Sequence, residues 1–432
     1  MPELEIKKAN IHFIYSFLPV SKRNKMFLTE DMLENFSNIF QNIGDSKLQT
    51  GIGKPENRLG LSSYIDLDLE MAYMKFPEVN GTVDDIDIKI EPLIRIFPIG
   101  SSCCLTVTAS EKKGEKLTVA DVHKLLCIVS KIKNESSKSK IKLKKVEDNS
   151  IYKFGNDEIT IYQLFIFIVE SILVKTFNSD ECRESIELLC QNNIRIGEQR
   201  EPQVPWTVTV LEVEGSSCEA FCNAFCNFSD MMTAGNIKTE LIKNYERLLS
   251  PILFNTVPDF KIEPAYLYLP VQGKRSGIFS MNVDSRLFVQ MSRRSILCIC
   301  EDKEKDPAKY FIPNLLDLCE MSFSRLQTLI ILNKTLDDTL RNFTEEEKSP
   351  RMKLKEIIEH INRFTTAFED PTAYIISGES LREIREELIY IFRLNTLTET
   401  ILRKIEMLER LYKYNLELRW ATSFEEKLKD ND

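Results

Sequence analysis

The sequence predicts an α+β fold, in which a mixed-sheet α/β body precedes a C-terminal antiparallel long-helix hairpin or coiled coil. Two observations lead to this prediction. Alternating apolar segments typical of strands are interleaved with capped helices up to residue 305, whereas the rest of the chain has apolar residues at helical spacing only. We expect an α+β half at 1–130, a lysine-rich linker at 131–150, a second α+β half at 151–305 and a helical domain at 311–428.

The first half begins with a predicted core strand from Asn10 to Pro19. Further strands are expected at 93–97 and 103–108. The segment from Thr118 to Asp121 then predicts a capped helix start, because a threonine followed three residues later by an acid is typical of such a start.

The second half contains the most apolar run of the chain, from Ile159 to Val174. This run includes Gln163 and Glu170 and is shorter than the roughly 20 apolar residues that a bilayer span requires, so it predicts a buried helix. Trp206 to Val213 alternates as a strand. The following Gly-Ser-Ser-Cys at 215–218 repeats the sequence at 100–103 and suggests two related halves.

Residues 131–150, between the two halves, carry seven lysines against three acids and have no aromatic residues for base stacking. They therefore predict an exposed linker rather than a nucleic-acid patch. The formal charge of −9 also disfavours a general affinity for nucleic acid.

Three helices are predicted in the C-terminal domain, at 314–343, at 351–368 and from Ser380 onward. The first has apolar residues at alternating steps of four and three, as in a coiled-coil seam. Ser380 and Glu383 form a predicted capping box, after which no breaker occurs for about 45 residues. A continuous helix of that length would be about 70 Å long.

Two alternatives remain for this last helix: it packs on the chain's own body, or it projects and assembles with a second copy or another protein. Its apolar stripe drifts round the helix, so a straight dimeric zipper over the full length is disfavoured. The candidate assembly residues are Leu388, Ile391, Leu397, Ile401, Ile405, Leu408 and Tyr412.

Two sets of residues could form a small-ligand site. Carboxylates at Asp66, Asp68 and Asp85 could bind a divalent metal, although the pattern favours a solvated strand face, because the glycine and terminal glutamate of a calcium loop are missing. Two basic clusters, Lys274 with Arg275 and Arg293 with Arg294, could bind an anion, although basic turns are usually solvated.

The cysteines give little indication of a cofactor site. Eleven cysteines without a secretory leader favour a reducing, cytoplasmic location. Cys218, Cys222 and Cys226 are spaced by four, which places them on one helix face among phenylalanines. This spacing favours a packed helix over a metal or cluster site.

Catalytic signatures are absent from the sequence. The three histidines are isolated, and no Walker loop, dinucleotide fingerprint, G-x-S-x-G or H-E-x-x-H motif occurs. No cofactor and no membrane span are predicted. The alternative of an enzyme with a carboxylate or metal site in the α/β body stays open, because such sites leave no local pattern.

The order of parts resembles the cytosolic part of CorA-type magnesium transporters, where an α/β body precedes two helices and one very long helix. The resemblance covers mostly residues 280–428. The transporters' membrane segment and Gly-Met-Asn motif are missing here, and Trp420 to Asp432 ends in charged residues. It implies a soluble relative that oligomerises through its long helix and responds to a ligand. We thus expect a cytoplasmic, non-enzymatic regulatory or interaction protein, with a CorA-like ligand sensor as the alternative.

Overall fold

A computed structural model gives the fold of the chain. It describes residues 6–21, 49–52, 72–97, 100–110, 116–129, 141–143, 158–176, 186–190, 194–195, 205–215, 218, 278–284, 286–292, 295–341 and 379–429. The described helices are α1 (Val119–Leu126), α2 (Ile161–Thr176), α3 (Ala308–Arg341), α4 (Glu379–Ile391) and α5 (Leu394–Lys429). The strands are β1 (Ile6–Ser21), β2 (Gln49–Ile52), β3 (Ala72–Lys75), β4 (Val79–Val83), β5 (Ile86–Phe97), β6 (Gly100–Ser110), β7 (Ile141–Leu143), β8 (Glu158–Ile159), β9 (Ile186–Cys190), β10 (Ile194–Arg195), β11 (Trp206–Val213), β12 (Ile278–Asp284), β13 (Leu287–Ser292) and β14 (Ser295–Cys300).

All of these strands join one mixed sheet. Its main path runs β12-β13-β14-β11-β1-β6-β5-β4-β7-β8, and β11 pairs parallel with β14 whereas the other pairs are antiparallel. The predicted α+β class is therefore confirmed. Strands from both predicted halves meet where β1 pairs with β11.

Two details of the predicted organisation change. The segment 141–143, expected in an exposed linker, is β7 and pairs with β4 and β8. The two Gly-Ser-Ser-Cys segments are not structurally equivalent, because Gly100 to Cys103 opens β6 while Gly215 and Cys218 follow the end of β11.

Strand β1 lies at the centre of the sheet, and its side chains from 11 to 18 are all buried. Its odd-numbered residues, such as Phe13 and Tyr15, join the hydrophobic cluster on one face. Ile14 joins the cluster on the other face. Burial on both faces is expected for a strand with so continuous an apolar run.

Helices α1 and α2 cover the first face. Tyr15 stacks on Phe165 of α2 with ring centroids 4.4 Å apart. The expected helix start is confirmed, since the Thr118 hydroxyl accepts from the Asp121 amide and the Asp121 carboxylate accepts from the Thr118 amide. The apolar run that predicted a buried helix is α2, and Phe165 and Ile168 within it are fully buried.

Helices α3, α4 and α5 lie over the second face. Trp206 of β11 packs edge-on against Phe392 at 4.9 Å, and Phe392 also approaches Phe323 of α3 at 6.2 Å. No helix in the described part of the chain combines the length and apolar composition needed to cross a membrane.

The prediction of an unbroken third helix is wrong, because α4 ends at Ile391 and α5 begins at Leu394. Arg393 adopts a left-handed conformation with φ of 52°. The turn keeps its backbone hydrogen bonds: the Phe392 amide donates to the Leu388 carbonyl, and the Leu397 amide donates to that of Arg393. The break turns Phe392 into the core. Ser380 falls inside the first turn of α4 rather than before it.

Helix α5 runs beside α3 in the same direction. Phe392 is level with Phe323, and twelve residues further on Lys404 bonds Asn333 and Asp337. At this alignment residue 410 of α5 is level with the described end of α3 at Arg341, and α5 continues for about 28 Å beyond it. The predicted helix at 351–368 lies outside the described residues.

Candidate functional site

A cluster of charged side chains is buried where α3 crosses β5 and β6. Arg95 of β5 donates through Nη1 to the Asp317 carboxylate of α3, and its Nε lies 3.7 Å from Glu320 Oε2. Ser102 of β6 donates to the same Glu320 oxygen at 2.9 Å. These side chains are buried, with Glu320 at 0% exposure.

This cluster suits a structural role better than a catalytic one. Its carboxylates already bind Arg95 and Ser102, and their burial prevents a substrate from reaching them. Removing one partner of such a buried pair typically costs about 3–5 kcal/mol, because the other charge is left without compensation. The cluster therefore fixes the position of α3 on the sheet.

Sequence reasoning missed the cluster because its members are far apart in the chain. Arg95 and Asp317 are separated by 222 positions. The available signal was local: Asp317 and Glu320 share one face of a helix whose neighbouring residues are apolar. Two acidic residues on such a face indicate a buried cationic partner, but they do not identify which residue it is.

The predicted metal residues are not brought together among the described residues. Asp85 lies in the two-residue turn between β4 and β5, where Asp84 and Asp85 have φ of 45° and 70°. This turn is a hairpin type that favours residues tolerating positive φ, such as aspartate. Asp66 and Asp68 lie outside the described residues. Within the described part, no group of three or more potential metal ligands occurs.

Lys274, Arg275, Arg293 and Arg294 all lie outside the described residues, the last two between the paired ends of β13 and β14. The anion site therefore stays a prediction from the sequence.

The described cysteines behave as packed apolar residues. The Cys218 thiol is buried and donates to the Arg286 carbonyl at 3.3 Å, while Cys222 and Cys226 lie outside the described residues. Burial raises the pKa of the Cys103, Cys298 and Cys319 thiols, so these groups stay protonated at neutral pH. A protonated, buried thiol is a poor nucleophile and metal ligand.

The predicted assembly residues lie largely inside the chain's own core. Six of the seven line the side of α4 and α5 that packs into the cluster containing α3, and Tyr412 is the exception. Of the seven, Leu388, Ile401, Ile405 and Leu408 are buried, Ile391 and Leu397 pack partly buried against the cluster, and Tyr412 is half-buried. Any surface that α5 offers to a partner must therefore be formed by other residues.

A different row of apolar side chains is exposed on α5. Met407, Leu411 and Tyr414 are 54%, 38% and 58% exposed, and they follow one another at steps of four and three. We call these three residues the outer row. At 3.6 residues per turn, the outer row lies about 100° round the helix from the buried side chains of Ile401 and Leu408. It extends onto the part of α5 beyond the described end of α3.

Among the residues that the structure describes, large apolar side chains are exposed mainly on α4 and α5. Within the described residues, those of high exposure are Tyr390, Leu402, Met407, Leu411 and Tyr414, all on α4 or α5. Single exposed apolar residues are ordinary on protein surfaces, whereas a row of them on one helix face indicates a contact surface.

Charged residues flank the outer row on one side. Arg410 and Glu417 are both exposed, and because they are seven residues apart they lie on the same side of α5, Arg410 one position before Leu411 and Glu417 three positions after Tyr414. Residues at such flanking positions commonly determine how two helices pair.

Comparison with protein-family models, with curated proteins and with solved structures found no match. The site must therefore be interpreted from its own geometry.

Proposed function

We propose that the protein is a non-enzymatic interaction protein that assembles through the outer part of α5. The observation that carries this proposal is the outer row, Met407, Leu411 and Tyr414, exposed on a helix that is otherwise held firmly on the body. Covering these side chains with a partner would remove apolar surface from water, which is the main favourable term in association.

The rest of the fold serves this role as a rigid support. The buried face of α5 packs on α3, and α3 is fixed to the sheet by Arg95 and its two carboxylates. A surface on a helix so supported is presented in a defined position, which lowers the entropy cost of binding.

Two observations on the described part of the chain support a non-enzymatic role for its buried groups. Asp317 and Glu320 are enclosed and paired, so they are unsuited to proton transfer with a substrate. The buried thiols with a raised pKa are likewise unsuited to nucleophilic attack.

The proposal retains one expectation from the CorA resemblance, namely assembly through a long C-terminal helix. A regulatory role, with an anion bound at Lys274, Arg275, Arg293 and Arg294, is a separate part of the proposal and rests on the sequence alone. Titration of the full chain with inorganic phosphate by calorimetry tests it.

The assembly proposal is tested by placing a charge in the outer row. We expect Leu411→Arg to lower the mass of the full chain measured by light scattering, because a guanidinium would have to be buried in the contact. Leu402→Arg is the matched control, since Leu402 is an equally exposed leucine of α5 on a different face, 42% against 38%.

The two variants should have the same helical content by circular dichroism. The proposal is contradicted if Leu411→Arg leaves the mass unchanged, or if Leu402→Arg lowers it equally.

A further inference from the structure

We propose that the partner of the outer row is the outer row of a second copy of this chain, paired in antiparallel orientation. This inference rests on the proposed function and adds to it the identity of the partner and the direction of pairing. The steps of four and three in Met407, Leu411 and Tyr414 are those of a coiled-coil core, which two identical helices can share about a two-fold axis.

The packing of the core residues favours the antiparallel arrangement. In an antiparallel coiled coil, a core residue that lies four positions after the previous core residue packs opposite a core residue of the other helix that lies three positions after its own predecessor. Leu411 of one copy then lies opposite Tyr414 of the second copy, and the two-fold axis repeats this contact. A leucine opposite a tyrosine fills a core layer more evenly than two tyrosines opposite each other, which a parallel pair would require.

The charges provide the argument that decides between the two directions. Arg410 and Glu417 lie on the same flank of the outer row, one heptad apart. In an antiparallel pair this flank faces the same flank of the second copy. Arg410 of each copy therefore faces Glu417 of the other, which gives two opposite-charge contacts.

A parallel pair would not use these charges. There the flank carrying Arg410 and Glu417 faces the opposite flank of the second copy, and the sequence has no charged residue at the matching positions 415 and 422. Charge complementarity at flanking positions sets orientation in helix pairs, so the sequence on α5 selects the antiparallel one.

The outer row is exposed in the single chain, so a second α5 can contact Leu411 and Tyr414. The contact contains few apolar side chains from each copy, so the dimer should dissociate on dilution rather than be permanent.

A charge exchange across the contact tests the inference on the full chain. Arg410→Glu places two acids opposite each other, and Glu417→Arg places two bases opposite each other. We expect each variant alone to have a dimer dissociation constant raised at least about fivefold by sedimentation equilibrium. When the two variants are mixed, both contacts in the mixed dimer again join opposite charges, so the mass should return to the dimer value.

Matched controls carry the same charge changes on other faces of α5. Lys413→Glu and Glu409→Arg alter exposed residues that do not flank the outer row. Neither should weaken the dimer more than about twofold, because exposed charges away from the contact are screened.

The outcomes separate this inference from the proposed function. An unmodified chain that is a monomer at all concentrations overturns both. A dimer in which both single variants are weakened but the mixture is not restored overturns the antiparallel orientation while leaving assembly through α5 in place. A dimer that none of the variants weakens shows that the second copy binds elsewhere and overturns the inference.

Discussion

Two faces of α5 carry apolar side chains at the same spacing but with opposite environments. On the inner face, Ile401, Ile405 and Leu408 follow steps of four and three and are buried against the chain's own core. On the outer face, Met407, Leu411 and Tyr414 follow the same steps and are exposed. The spacing of a helix thus predicts that a seam exists, whereas the position of the helix on its body decides which seam is already filled.

The largest expected difference between the two faces is in stability. Ile401→Ala should lower the free energy of unfolding by about 2–5 kcal/mol, because Ile401 is fully buried and its truncation leaves a cavity between α5 and α3. The midpoint of urea unfolding, followed by circular dichroism, measures this loss.

Leu411→Ala is the matched change on the outer face. It should alter the free energy of unfolding of the monomer by no more than about 0.5 kcal/mol, since Leu411 is exposed in the single chain and alanine is a good helix former. Equal losses for the two variants would mean that the outer row is also packed within the chain.

A smaller effect on stability is expected at the turn that sets the direction of α5. Arg393 has φ of 52°, and its side chain is exposed. Arg393→Val should destabilise the protein by about 1–2 kcal/mol, because a β-branched residue fits the left-handed region poorly. Arg393→Asn should be nearly neutral, since asparagine tolerates this conformation.

Urea unfolding of the two Arg393 variants, side by side, measures the difference. If the Arg393→Val variant were as stable as the Arg393→Asn variant, the left-handed conformation at this position would not be important for stability. The break between α4 and α5 would then not be what directs the outer row.

The smallest expected effects compare the ion pairs of the two faces. Lys404 donates to Asn333 at 2.7 Å and lies 2.6 Å from Asp337, with 18% of its side chain exposed. Lys404→Met should cost about 1 kcal/mol, because it removes hydrogen bonds from a charged and partly buried group. Arg403 beside it lies 3.7 Å from Glu399 in water, so Arg403→Met should cost less than about 0.5 kcal/mol.

Thermal unfolding of the two methionine variants at low and high salt distinguishes these expectations. Only the small loss at Arg403 should vanish in high salt, since exposed pairs are screened more than buried ones. A loss at Lys404 no larger than that at Arg403 would show that this contact does not help to hold α5 on α3.

Local features of the fold were predictable from the sequence. The Thr118 cap was found because its two hydrogen bonds join residues three apart. The apolar run at 159–174 identified α2, since a run of this length that is almost entirely apolar is typical of a buried helix.

The features that could not be predicted depend on distant contacts. No glycine or proline marks the break at Arg393. The break coincides instead with the packing of Phe392 against Trp206 and Phe323, which are distant in the sequence. The buried pair of Arg95 and Asp317 joins segments that the sequence alone cannot align. The assembly residues were assigned to the inner seam because periodicity does not reveal that α3 already covers it.

The central claim is that the outer row joins two copies of the chain. Sedimentation equilibrium of the unmodified full chain over a range of concentrations tests it most directly. We expect a mass that rises with concentration from 50.2 kDa towards twice that value. A mass that stays at 50.2 kDa at every concentration would contradict it.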